Sequence, residues 1–114
     1  MNQTIKYPPV TEELLAEVVR RVLQVGSPHK IVLFGSRARG DARPDSDLDL
    51  LILEDSAVPG YERSPRYYSA LRGLFPAIDI LVFTPEEVNE WSEVPNAFET
   101  VAMREGRVLY GDTD

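Results

Sequence analysis

The sequence predicts an α/β (α+β) domain built on a small β-sheet flanked by helices, and three observations lead there. Short, almost wholly apolar runs at Lys30–Phe34, Leu48–Leu53 and Ala77–Phe83 have the length of strands buried on both faces. Segments with helical apolar spacing or helix-start chemistry alternate with them. A chain of 114 residues, 43% of them hydrophobic, is long enough for one compact core, so residues 1–114 are expected to form a single domain.

The first element runs from Thr11 to Gly26. Leu14, Leu15, Val18, Val19 and Val22 recur at helical spacing while Glu12, Glu17, Arg20 and Arg21 take the opposite face, which predicts an amphipathic helix. Thr11 suits the N-cap, Glu12 and Glu13 the positive end of the dipole, and Val10 is placed to staple onto Leu15. Gly26, Ser27 and Pro28 stop the helix. The strand KIVLF then ends abruptly in GSRARGDARPDSD, a stretch of glycines, arginines and turn formers that reads as an exposed functional loop. Leu48–Leu53 is the second strand and Asp55–Gly60 a loop. Ser64 is expected to cap a helix with Pro65 at its first position, turning Tyr68, Leu71, Leu74 and Phe75 to the core. The third strand, Ala77–Phe83, carries one charge in its interior. Thr84-Pro85-Glu86-Glu87 forms a capping box, so a short helix follows until Pro95 breaks it. Asn96 is expected to cap a last helix carrying Phe98, Val101 and Ala102, closed by Gly106, with Arg107–Tyr110 as an edge strand. His29 reads as an exposed turn residue, and Trp91 with Phe98 as packing.

Composition excludes several chemistries. No cysteine means no disulfide scaffold, no thiolate nucleophile and no thiolate zinc site, which is compatible with a reducing cytosol; one histidine excludes a histidine-rich metal cluster. No run approaches the roughly 18 apolar residues of a membrane span, and Met1 to Val10 lacks a signal-peptide core, so a cytoplasmic protein is expected. Twelve Lys plus Arg against 19 Asp plus Glu give a net charge of -7. Clustered cations carry non-specific nucleic-acid affinity, so an acidic chain argues against a nucleic-acid partner.

The chemistry concentrates in Gly35-Ser36, ten intervening residues, Asp47-Leu48-Asp49, and Asp79. Residues i and i+2 of a strand share a face, so Asp47 and Asp49 are expected to project side by side. Should the Asp79 strand lie next to theirs, three carboxylates would converge. Such a set can hold one or two divalent cations, and Mg²⁺ suits it because it takes hard oxygen ligands together with water and substrate phosphate. Asp49 between Leu48 and Leu50, and Asp79 between Ile78 and Ile80, are unusual because Asp is depleted in strands and a buried carboxylate needs a partner. Gly35-Ser36 directly follows a strand, where backbone N–H groups and a hydroxyl can receive phosphate. The segment lacks the Lys-Ser/Thr ending of a Walker loop and the spacing of a dinucleotide fingerprint. Arg37 and Arg39 are each placed to meet phosphate, and Arg37 equally to pair with the surrounding acids; of the two, Arg37 is expected to be the nucleotide-binding arginine.

GSRARGDARPDSDLDLLI resembles the G-S-x10-D-x-D signature of the polymerase beta-like nucleotidyltransferases, and its GSRARG form resembles the minimal nucleotidyltransferase (MNT) group. Four fixed residues at fixed spacing arise by chance in such a chain with a probability of order 10⁻³. The leading helix, Asp79 and the terminal Glu105–Tyr110 segment extend the similarity over nearly the whole chain. The resemblance implies the nucleotidyltransferase fold with a small mixed sheet, ATP as substrate, and two Mg²⁺ ions. It implies that Gly35 and Ser36 hold the triphosphate, that Asp47 and Asp49 bind the bridging metal, and that Asp79 completes the second metal site and helps deprotonate the acceptor. It further implies an MntA-like antitoxin that transfers AMP to a tyrosine of a HEPN-type toxin partner. A small-molecule nucleotidyltransferase, acting for example on an aminoglycoside, and a non-catalytic module that masks its partner are the alternatives.

Overall fold

The computed structural model describes residues 9–74, 76–94 and 98–111. The expectations for Phe75, Pro95, Asn96 and the Phe98 side chain lie outside the described residues.

Helix α1, Glu12–Val25, starts as its sequence dictates: the Thr11 hydroxyl accepts a bond from the Leu14 N–H at 3.1 Å, and Val10 packs on the core cluster that holds Leu15. Strand β1 (Lys30–Phe34) leads into a four-residue helix α2 (Ser36–Arg39), and β2 (Leu48–Leu53) follows. A 3₁₀ turn at Gly60–Glu62 precedes α3 (Pro65–Ala70); β3 (Ile78–Phe83), α4 (Pro85–Trp91), α5 (Phe98–Glu105) and β4 (Arg107–Tyr110) complete the order. The four strands form one mixed sheet in the order β3-β2-β1-β4, with β1 antiparallel to β2 and β4, and β2 parallel to β3.

One face of the sheet presents Ile31, Leu33, Leu48, Leu50, Ile52, Ile80 and Val82 to the apolar stripe of α1 and to Tyr67 and Leu71. The other presents Val32, Phe34 and Leu51 to Ala102 of α5. The central strands are therefore buried on both faces, as their unbroken apolar runs require. The capping box at Thr84 and Glu87 is present in both directions, and Trp91 packs edge-on against Phe83 at 5.0 Å. No helix among the described residues is long and apolar enough to cross a membrane.

Three local expectations are corrected. Ser36–Arg39, expected as part of a loop, forms the four-residue helix α2, closed by Ala38 and Arg39 N–H bonds to the Gly35 carbonyl. Ser64 makes no side-chain cap, because its backbone is already helical (φ -87°, ψ -23°) and a capping hydroxyl needs an extended residue to swing it over the first turn. Tyr67, not Tyr68, enters the core: Tyr67 is fully buried and Tyr68 is 45% exposed. Both lie on a helical face with Leu71 and Leu74, so periodicity could not separate them. The decision comes from buried Glu54 at the end of β2, which accepts the Tyr67 hydroxyl proton and pairs with Arg66, while Gly26 leaves room for the phenol. Burial pushes the Tyr67 phenol up to about 12, with the Glu54 carboxylate adding and Arg66 opposing. A free phenol ionises near pH 10, so the network's stabilisation is complete below about pH 10 and is lost as pH rises through about 12. Alkaline titration of phenolate absorbance is expected to show one late step that Tyr67→Phe removes.

Candidate active site

The end of β1 turns at Gly35, whose φ of 74° and ψ of -156° are open to glycine alone. Its missing side chain has a second use. A Cβ there would fall within 3.0 Å of Asp49 Oδ2, so the carboxylate of β2 lies directly over the glycine. The turn enters α2, where the Ala38 and Arg39 N–H groups both bond the Gly35 carbonyl at 3.0 Å, and no side chain caps the first turn.

Sheet register brings in the next carboxylate. Parallel pairing of β2 and β3 sets Asp49 opposite Asp79, while antiparallel pairing sets Asp49 opposite Phe34, the residue before Gly35. A cavity of about 560 Å³ opens over this row. It is lined by Gly35, Ser36 and Arg39 from the turn and α2, Phe34 from β1, Asp49 from β2, Asp79, Ile80 and Leu81 from β3, Tyr68 from α3, and Val101, Ala102 and Glu105 from α5. Burial raises the Asp49 pKa from its ordinary value, and repulsion from Asp79 and then Asp47 adds to the rise, opposed by Arg39. Three neighbouring charges thus act on Asp49.

Asp47 stands before the first residue of β2, exposed and outside the cavity lining. Register thus sets Asp49 and Asp79 side by side on neighbouring strands, and Asp47, two residues before Asp49, acts on it electrostatically. Among the described residues no three Asp, Glu or His side chains form a ready-made metal cage. The donor chemistry nonetheless fits a hard divalent cation: carboxylate oxygens, no sulfur, and a mutual repulsion a cation would relieve.

Arg37 is not at the cavity. Its guanidinium donates to the carbonyls of Pro44 (3.2 Å) and Ser46 (2.8 Å), and its buried Nε has no partner among the described residues. Since Ser46 Oγ also accepts the Arg43 N–H at 2.8 Å, this side chain ties the loop between α2 and Asp47 to the start of α2. Arg39, two residues on, takes the cavity position, and its ion pair with Asp41 is exposed. Tyr68 and Glu105 also line the cavity. Neither carried a sequence signal, because α3 and α5 meet this row only in the folded chain.

A mixed four-stranded sheet with flanking helices, a glycine turn closing one strand and facing carboxylates on the next two define the nucleotidyltransferase-like class. The chain belongs to the nucleotidyltransferase domain family, whose sequence model matches residues 12–74, more than half its length. Among solved structures it is similar to a Sulfolobus solfataricus protein described as a nucleotidyltransferase, with a TM-score of 0.55, 25% identity, and coverage of 68% of this chain and 70% of that one. It is also similar in fold to a chain of a toxin-antitoxin structure with AMP-PNP, with a TM-score of 0.56, 18% identity, and coverage of 86% and 73% respectively. No curated protein matches the chain.

Proposed function

We propose that this nucleotidyltransferase domain transfers AMP from ATP to a tyrosine hydroxyl of a HEPN-type toxin and thereby acts as its antitoxin. The observation that carries nucleotidyl transfer is the placement of Asp49 over Gly35 and opposite Asp79 in one cavity. The adenine nucleotide and the toxin partner draw support from the toxin-antitoxin structure with AMP-PNP, and the HEPN class from the resemblance of the GSRARG motif to MNT proteins.

In this reading the backbone of Gly35-Ser36 and the Ser36 hydroxyl hold the β- and γ-phosphates, and Arg39 adds positive charge beside them. Asp47, Asp49 and Asp79 would hold two Mg²⁺ ions. Bound there, Mg²⁺ supplies charge neutralisation on the phosphates and a lower pKa for the acceptor hydroxyl. Asp79, at the edge strand, takes the acceptor's proton. The acceptor oxygen forms a bond to the α-phosphorus as the bond from that phosphorus to the bridging oxygen breaks, and the electron pair leaves with pyrophosphate.

The test is incubation with ATP labelled in its α-phosphate, Mg²⁺ and the HEPN-type protein, with Asp47→Asn plus Asp49→Asn as control. Label is expected on a tyrosine of the partner with the intact aspartates alone. Neutralisation that survives the double substitution, without transfer, would make the domain a masking module. Label on an aminoglycoside and never on protein would make it a small-molecule enzyme.

A further inference from the structure

We infer that the acceptor enters over the open edge of β3 and that Tyr68 is the side chain that selects it, an inference resting on the nucleotidyl-transfer reading above. The sheet order sets four groups in a row: the turn after β1, Asp49 on β2, Asp79 on β3, and Tyr68 beyond β3. In-line displacement puts the attacking and leaving oxygens on opposite sides of phosphorus. With pyrophosphate departing at Gly35-Ser36, the attacking hydroxyl arrives from the β3 side.

Among the described residues no strand lies beyond β3 in the sheet. Side chains cover its outward backbone groups instead: the Tyr68 hydroxyl accepts the Ile80 N–H at 2.9 Å, and Arg63 donates to the Val82 carbonyl at 3.2 Å. Capping protects an edge from pairing with another chain, yet it does not require an aromatic ring facing solvent. Tyr68 is 45% exposed, and it is the one exposed large apolar residue among those described that lines the cavity. Its hydroxyl is anchored on the strand next to Asp79, so the ring is held in place before an acceptor arrives. Leu81, Val101 and Ala102 give the same cavity an apolar wall. A flat apolar group carrying a hydroxyl fits this combination, and a protein tyrosine has that chemistry; aromatic pairs prefer such offset or edge contacts.

The experiment measures KM for the HEPN-type acceptor and for ATP in wild type, Tyr68→Ala, Tyr68→Leu and Tyr68→Phe. Loss of the ring in the Ala and Leu variants is expected to raise the acceptor KM about five- to tenfold while the ATP KM stays within about twofold. Tyr68→Phe, which keeps the ring, is expected to retain most acceptor affinity. Unchanged acceptor KM in both ringless variants, or an equal rise in the two KM values, would overturn the inference and leave the proposed function standing. If wild type labels an aminoglycoside but not protein, the aromatic acceptor is wrong; if it labels neither, nucleotidyl transfer itself fails and the inference with it.

Discussion

Asp49→Asn is expected to reduce nucleotidyl transfer by at least about 10³-fold, the scale of losing several kcal/mol of charge stabilisation, and to raise the melting temperature of the metal-free protein. The two effects have one origin. Asp49 is partly buried, faces Asp79 across the β2–β3 pair and feels Asp47, and all three influences push its pKa up. An acid whose folded pKa lies above its unfolded value destabilises the fold once pH exceeds the unfolded value, because the charge costs more in the folded state. The amide removes that cost at nearly equal volume. A higher melting temperature is therefore expected at neutral pH, the gain shrinking as pH falls and Asp49 takes up a proton. Mg²⁺ is expected to raise the melting temperature of wild type more than that of Asp49→Asn. Calorimetry with and without Mg²⁺ checks both statements. An equal Mg²⁺ effect on the two proteins would remove Asp49 from the metal site.

Gly35→Ala is the second large effect, and it reaches Asp49 from the other side. A Cβ at Gly35 meets the Asp49 carboxylate within 3.0 Å, and φ of 74° with ψ of -156° is strained for any side chain. The strain alone is on the order of 1–3 kcal/mol, which in a chain of this size lowers the melting temperature by about 10 °C. Activity is expected to fall further than folding does. A reacting group displaced by about 1 Å commonly costs about 10²-fold in rate, and Asp49 must move to admit the methyl. Rate and melting temperature measured on the same sample separate these effects. Gly40 gives the comparison: it too has a positive φ, of 87°, but a Cβ there meets nothing within 4 Å. Gly40→Ala is thus expected to lower stability while sparing the rate per folded molecule.

Much of the fold was legible in the chain because its signals are local. The Thr11 cap and the Leu15, Val18 and Val22 stripe announce α1, the Thr84–Glu87 box announces α4, and the apolar runs of β1, β2 and β3 announce strands buried on both faces. Of the site, Gly35, Ser36, Asp47, Asp49 and Asp79 stood out because each breaks a local rule: a glycine turn at a strand end, or an acid beside an apolar run. No such signal separates Arg37 from Arg39, and the expected preference for Arg37 is reversed in the fold. Both are arginines in one polar loop, and only the fold of that loop sends one to the Pro44 and Ser46 carbonyls and the other to the cavity.

The sequence by itself determined the order of the strands and of every helix but the short α2, and the chemistry available, carboxylates and a glycine turn in place of thiols or histidines, since propensity, capping and side-chain alternation act over a few residues. The tertiary structure decided which carboxylates meet. Nothing in either strand alone states that β2 and β3 run parallel with Asp49 opposite Asp79, that Tyr67 rather than Tyr68 enters the core, or that α5 walls the cavity. Those outcomes depend on contacts between residues far apart in the chain, where burial of the whole apolar surface, and not any local preference, selects the register.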